Sequence, residues 1–348
     1  MKRIITILIF ILAFNYPVLY AQIAVALHTE GDLGQRTVNY YYQSDGFQKA
    51  YADAAGGDTI YLPGGAFDPP ASIEKQLVIY GTGHYPGATA STGKTIINGT
   101  INLGAGADNV HIEGLEVNGS LLTGMDVPVN NLTVIRSRFN SDVNFQGTRI
   151  EPGTTCQSVI FIGCVFNTSL QLRNVENAAV YNSVFGHTLY HSDANEFSNN
   201  IFLDSGYKIY YSNNNHFKNN IFSMAAASYL VRYSEGNIFT RNILRISNPD
   251  YGTGAQAIDN WTGVDIATLF VNQEGQAFSY DHDYHLVSPE SYIGTDGTTQ
   301  ISIYGGAFPY KEGAVPSTPH ITSSSVSPGS DAEGNIQVDI TIEAQELP

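Results

Sequence analysis

One short unit recurs seven times through the middle of the chain, and it constrains the fold more than any other feature. The copies are 110–117, 133–139, 159–166, 179–185, 196–202, 216–222 and 238–244. Their last apolar residues are Val117, Phe139, Phe166, Phe185, Phe202, Phe222 and Leu244, separated by 22, 27, 19, 17, 20 and 22 residues, or about 21 on average. The units are rich in Val, Ile and Phe, with turn residues between them and no helix-forming stretch. A period of this size predicts one coil of short strands per unit, with neighbouring coils paired in parallel along an axis. Leucine-rich repeats share the spacing but need a Leu/Asn consensus that is absent. Propeller blades need about 40 residues or more. A sandwich would show hairpin turns and no periodic identity. The expected fold class is therefore all-β, a solenoid of about 21 residues per coil.

Asn200, Asn220 and Asn242 share one position in the unit, with Ser183 and Cys164 in line before them. Asn tolerates left-handed turn angles and can bridge amides between coils, so this column is assigned to structure. Cys156 and Cys164 are the only cysteines. Eight residues is under half a coil, so they fall on different sheets, and free or buried thiols are expected.

The N-terminus has the layout of a secretory signal peptide. Lys2 and Arg3 precede an apolar run from Ile4 to Phe14, and Leu19-Tyr20-Ala21 precedes Gln22, with cleavage expected after Ala21. The run is shorter than the ~20 residues a spanning helix needs. The expectation is an exported chain, secreted, surface-held or periplasmic, that does not span a membrane. Residues 1–21 form the signal, 22–310 the β-helix domain, and 311–348 a linker with a short β tail in which Ile336–Ile342 alternates as one strand. The one convincing helix is Phe47–Ala55, with Ser44 or Asp45 as N-cap and Gly56-Gly57 as its stop. It precedes an expected first strand at Asp58–Leu62 and is placed as the cap on the exposed solenoid end.

The segments Phe47-Gln-Lys-Ala and Gly57-Asp-Thr-Ile-Tyr-Leu-Pro-Gly64 resemble the entry of the pectate-lyase-like right-handed parallel β-helix superfamily. Asp283-Tyr-His-Leu286, Ile293-Gly-Thr-Asp-Gly297 and Ile303-Tyr-Gly-Gly306 resemble the closing coil of its secreted bacterial members. The resemblance implies the fold for residues 45 to 310, and it leaves activity open, because the superfamily holds lyases, hydrolases, epimerases and adhesins.

A formal charge of −16 argues against nucleic acid as a partner. Gly87–Thr95 has five residues between its glycines where a phosphate loop has four, and a strand-like segment follows, so no nucleotide is assigned. The acidic residues of the repeat, Glu151, Glu176, Asp193, Glu196, Asp204 and Glu235, are scattered, which disfavours a hydrolase built on paired carboxylates. Aligning Leu172, Leu189, Ile209 and Val231 as inward residues sets Arg173, Tyr190, Tyr210 and Arg232 beside them as an outward column, with Lys208 adjacent. Stacked at about 4.8 Å per coil, such a ridge of arginine and aromatic groups suits an extended sugar chain. Trp261 lies in a segment, 247–268, that interrupts the repeat, where it is either a sugar platform or the anchor of its own loop. Asp281-His-Asp-Tyr-His285 alternates Asp281, Asp283 and His285 onto one side of a strand, but no further ligand is evident. No metal or other cofactor is assigned, Ca²⁺ entering only as the partner a lyase would use. The expected function is binding of extracellular polysaccharide along a lateral face. A uronate lyase with an Arg or Lys base, and a non-catalytic structural or adhesive protein, are the alternatives.

Overall fold

The computed structural model describes residues 24–31, 34–148, 155–203, 206–226 and 230–344. The signal-peptide assignment, Glu151 and Asp204 lie outside the described residues. The repeat winds into a parallel β-solenoid of about ten coils with three long sheets of twelve, ten and seven strands. In-register pairing carries Val117 to Phe139, Phe166, Phe185, Phe202, Phe222 and Leu244 in successive coils, the column the repeat predicts.

Phenylalanine makes that column a stack. The rings of Phe166, Phe185, Phe202 and Phe222 lie 5.0, 4.4 and 4.6 Å apart at interplanar angles of 30°, 12° and 10°. Phe197, Phe217 and Phe239 form a second stack at 5.1 and 5.0 Å. Both are buried. The coil repeat of a parallel sheet is close to the thickness of stacked rings, so each ring gains contact without distorting the strands.

The turn from the twelve- to the ten-stranded sheet is closed by a buried amide ladder. Asn220 Oδ1 accepts from the backbone N and the Nδ2 of Asn200 at 2.8 and 3.0 Å. Asn220 Nδ2 donates to the Phe197 carbonyl at 2.9 Å and to Asn242 Oδ1 at 3.0 Å. Ser183 and Cys164 continue the ladder as expected. Asn260 extends it by one coil, accepting from Asn242. That extension corrects the reading of 247–268 as an interruption, because Gln256–Ile258 and Trp261–Thr262 pair in parallel with the preceding coil. Asn195, Asn215 and Asn237 build a second buried ladder at another corner.

The ends depart from expectation. The first strand is β1 (Ala24–Glu30), not Thr59–Tyr61; it pairs antiparallel with both β2 (Arg36–Tyr42) and Thr59–Tyr61. Helix α1 (Gly46–Asp53) packs Phe47 and Ala50 into the core at this end. Asp45 is its N-cap residue but makes no capping bond, pairing with Lys49 at 2.9 Å instead. Asp283–Leu286, expected in a closing coil, does not add a parallel coil. It forms an antiparallel pair with Phe270–Asn272. Their hairpin lies along the ten-stranded sheet and brings Tyr280 onto His84 and Tyr85 of the early coils. The serines 323–325, expected in a linker, lie in His320–Val326, which forms an antiparallel hairpin with Val338–Glu343.

Beyond this hairpin of 270–286, the chain runs back along the solenoid as a strap. Arg241 Nε donates to the Ile293 carbonyl at 2.9 Å, and Asn219 Oδ1 accepts from Thr295 N at 3.0 Å. Asn182 Nδ2 donates to the carbonyls of Ile303 and Gly305 at 2.8 and 2.7 Å, and Arg136 Nη1 to that of Val315 at 2.7 Å. Arg136, Asn182, Asn219 and Arg241 all have φ between 47° and 56°, so one column of left-handed turn residues, aimed outward, holds the returning chain. In the same column Gly114, at φ 77°, meets Pro316 so closely that a Cβ would lie 2.5 Å from its Cγ. The segment from Ile266 to Tyr310 also covers the outer face of the ten-stranded sheet, burying Val165, Val184, Ile201, Ile221 and Ile243. Burial on both faces explains the unbroken Val-Phe and Ile-Phe pairs of that sheet.

Truncating Asn220 to Ala removes two acceptor and two donor contacts inside the core. We expect it to lower stability by about 3 kcal/mol, read as a large drop in urea midpoint. Asn118→Ala, in the exposed ladder that donates to Asn98, should cost no more than about 0.5 kcal/mol. Equal effects of the two would contradict the assigned role of the buried ladder. Cys156 and Cys164 are free and buried, and burial pushes their thiols up to about 11 and about 12. At pH 8 the thiolate is therefore scarce in the native protein. A thiol reagent should find no reactive cysteine before unfolding and both after it.

Candidate functional site

With the ten-stranded sheet covered by the segment from Ile266 to Tyr310, the outer side of the seven-stranded sheet is where the predicted site residues converge. Its register stacks Leu170, Leu189, Ile209 and Val231 inward and Gln171, Tyr190, Tyr210 and Arg232 outward. Tyr190, Tyr210 and Arg232 thus form the expected column. Arg173 does not. The coil containing it pairs through Leu170 rather than Leu172, so Gln171 occupies the position assigned to Arg173. Two apolar residues at alternate positions, Leu170 and Leu172, both buried, made the alternative alignment look equivalent. Lys208 is also corrected: its side chain is fully buried and offers nothing to a surface ligand. Trp261 sits in the ten-stranded sheet away from this flank. Its ring meets Tyr292 edge-on at 5.5 Å and receives the Arg241 guanidinium at 5.2 Å, so it anchors the strap.

A second outward column went unrecognised. His191, Tyr211 and Tyr233 follow Tyr190, Tyr210 and Arg232 and have φ of 53°, 48° and 50°. Tyr211 stacks on His191 at 5.5 Å and 8°, and on Tyr233 at 5.1 Å and 21°. Left-handed backbone is costly for bulky side chains, by about 1–3 kcal/mol each. Asn is the usual occupant of such turns here: Asn109, Asn131, Asn177, Asn199, Asn214 and Asn219 all adopt it. The signal for this column was present in Leu189-Tyr-His-Ser, Ile209-Tyr-Tyr-Ser and Val231-Arg-Tyr-Ser, where a serine keeps the frame. Those serines form their own ladder, Ser192 N donating to Ser212 Oγ at 3.1 Å and Ser212 N to Ser234 Oγ at 2.9 Å.

Polar groups bracket the rings. Arg173 returns here, its Nη2 lying 2.7 Å from His191 Nε2. The guanidinium can only donate, so this imidazole nitrogen is unprotonated. Burial and then the Arg173 charge hold His191 below its ordinary value, in agreement. At the other end Arg232 lies over the rings of Tyr207 and Tyr233, 4.6 and 4.9 Å from their centroids, and donates to both hydroxyls. The Tyr233 hydroxyl and its neighbours push the Arg232 guanidinium up, so this group holds its proton and is a poor base. Beside it opens a cleft of about 700 Å³ lined by Tyr207, Arg232, Tyr233, Glu235, Asp250 and Thr253 among others.

A second cluster lies where the closing hairpin meets the strap. Donor atoms of Asp283, His285 and Glu312 lie within 4.8 Å of one another. His285 Nδ1 is 2.7 Å from Asp283 Oδ1 and 3.7 Å from Glu312 Oε1. The His285 backbone N–H, then its imidazole, hold the Asp283 carboxyl below its ordinary value. Asp281, expected on the same side, is exposed and outside the cluster.

Among the described residues no helix is long and apolar enough to cross a membrane. Searches of curated proteins and of solved structures returned no match. A family model described as "Periplasmic copper-binding protein (NosD)" matches residues 130–288. That description raises a question of donor chemistry. Cu⁺ prefers thiolate and thioether sulfur, whereas Cu²⁺ accepts imidazole and carboxylate. Both cysteines are buried with raised thiols, Met224 is buried and Met125 exposed, and neither cysteine belongs to the Asp283, His285 and Glu312 cluster. Asp283, His285 and Glu312 fit the harder ion. From its central coils to the closing hairpin, the chain is similar to a family of periplasmic parallel β-helix proteins.

Proposed function

We propose that the protein is an exported β-helix that binds extracellular polysaccharide along the open flank of its seven-stranded sheet. The observation that carries the reading is the exposed His191–Tyr211–Tyr233 stack, placed in strained backbone where Asn would relax the turn. Tyr211 and Tyr233 are 47% and 57% exposed. Among the described residues neither core packing nor a strap contact accounts for them, whereas Arg136 and Arg241, also left-handed, each hold the strap. Rings stacked face to face along the axis present their edges and hydroxyls sideways, next to a cleft that supplies carboxylates and the Thr253 hydroxyl. This is the amphipathic lining that sugar hydroxyls and C–H faces require.

The lyase alternative draws less support. Arg232 holds its proton more firmly than usual, Lys208 is buried, and the cleft carries Glu235 and Asp250, which repel a uronate carboxylate. A neutral or amino-sugar polymer suits it better.

Affinity electrophoresis of the mature protein against neutral, amino-sugar and uronate polysaccharides should show retardation by at least one of the first two. Tyr233→Ala should weaken that binding about tenfold, the loss of one aromatic contact of roughly 1.4 kcal/mol. No retardation by any polymer, or full binding by the variant, would sink the reading.

A further inference from the structure

We infer that Asp283, His285 and Glu312 form a binding site for a divalent transition-metal ion, Cu²⁺ above all, which fastens the strap to the closing hairpin. Asp283 and His285 alternate on the strand Asp283–Leu286 and so share a face. Glu312 arrives from the strap. Nothing covalent joins the two segments at this point, and the three donor atoms nonetheless fall within 4.8 Å.

Tyr304 supplies the support that metal ligands need. Its ring stacks on the His285 imidazole at 3.7 Å and 6°, fixing the ring plane. Its hydroxyl donates to Glu312 Oε1 at 3.3 Å. One side chain from the strap therefore orients two of the three ligands, as supporting residues do in metal sites. A cleft of about 680 Å³ is lined by Asp283, Tyr304 and Glu312, with Tyr85 and His282 beside them, which leaves room for water to complete the coordination shell.

The donor set selects the ion. An imidazole nitrogen among the three donors disfavours Ca²⁺ and Mg²⁺, hard ions bound through oxygen. The absence of sulfur from the trio disfavours Cu⁺. Among divalent ions that accept nitrogen and oxygen, Cu²⁺ binds a given site most tightly and Zn²⁺ less so. The similarity to a family described as copper-binding agrees with this order. The trio spans the strap, whose Glu312 lies just beyond residue 288 where that similarity ends.

The test uses the mature protein, stripped with a chelator and titrated with Cu²⁺, Zn²⁺ and Ca²⁺ in separate calorimetric runs. One equivalent of Cu²⁺ should bind, Zn²⁺ more weakly and Ca²⁺ not at all. The electron paramagnetic resonance spectrum at one equivalent should show a single coordinated imidazole nitrogen, and bound Cu²⁺ should raise the thermal midpoint. His285→Ala and Glu312→Gln should each weaken binding at least about tenfold, while His28→Ala, at an exposed histidine outside the trio, leaves it unchanged. Glycan retardation measured on the same variants separates a folding defect from loss of the ion. Binding that survives both substitutions, a spectrum without imidazole nitrogen, or a complex that leaves the midpoint unmoved would each overturn the assignment.

Discussion

The in-register amide ladder is the constraint on which the rest of this structure depends. An Asn buried at a coil corner must satisfy its donors and acceptor, since leaving one unmet costs about 1–3 kcal/mol. Its partners at that depth are the side-chain amides and backbone groups of the neighbouring coils. Asn200, Asn220, Asn242 and Asn260 therefore lock neighbouring coils into one register. Register then decides everything lateral. It brings Phe166, Phe185, Phe202 and Phe222 into one stack, and it aligns Tyr190, Tyr210 and Arg232 on the surface. A slip of one residue would turn those columns over.

Left-handed turn positions divide the surface by task. Where Asn or Gly occupies them the turn is relaxed, and Asn182 and Asn219 also bind the strap. Where a long side chain occupies them, the backbone cost is met by a contact outside the coil. Arg136 and Arg241 reach the returning strap, and His191, Tyr211 and Tyr233 stack on one another in the open. The strap makes the flanks unequal. Together with the 270–286 hairpin it seals the ten-stranded sheet beneath Phe270, Tyr284 and Tyr310, and among the described residues neither segment joins the seven-stranded sheet. The candidate glycan surface is thus defined as much by the part of the chain that lies elsewhere as by its own residues.

Much of this was legible in the sequence because periodicity is a local signal repeated many times. The column from Val117 to Leu244 and the Asn200–Asn242 ladder could be aligned by eye, and the structure keeps both. The site was less legible because its alignment rested on single apolar residues. Leu170 and Leu172 both point inward, so the coil between them could be placed two residues out, and Arg173 was put where Gln171 stands. Lys208 looked like a surface cation because a lysine beside a strand usually is one, yet it is fully buried. The strap was hidden for a different reason. Its contacts join Arg136 to Val315 and Asn182 to Ile303, and no spacing rule links residues so far apart. Trp261 belongs with it, since only the strap's Tyr292 reveals that this ring is an anchor.

The central claim is that register converts a run of strained, outward aromatic residues into a surface for sugar. A crystal structure of the protein soaked with an oligosaccharide from the best-retarded polysaccharide tests it most directly. The account predicts sugar density in the cleft beside Tyr207, Arg232 and Tyr233, running along the His191–Tyr211–Tyr233 stack. Sugar bound on another sheet or at either end of the solenoid, with this flank bare, would contradict it.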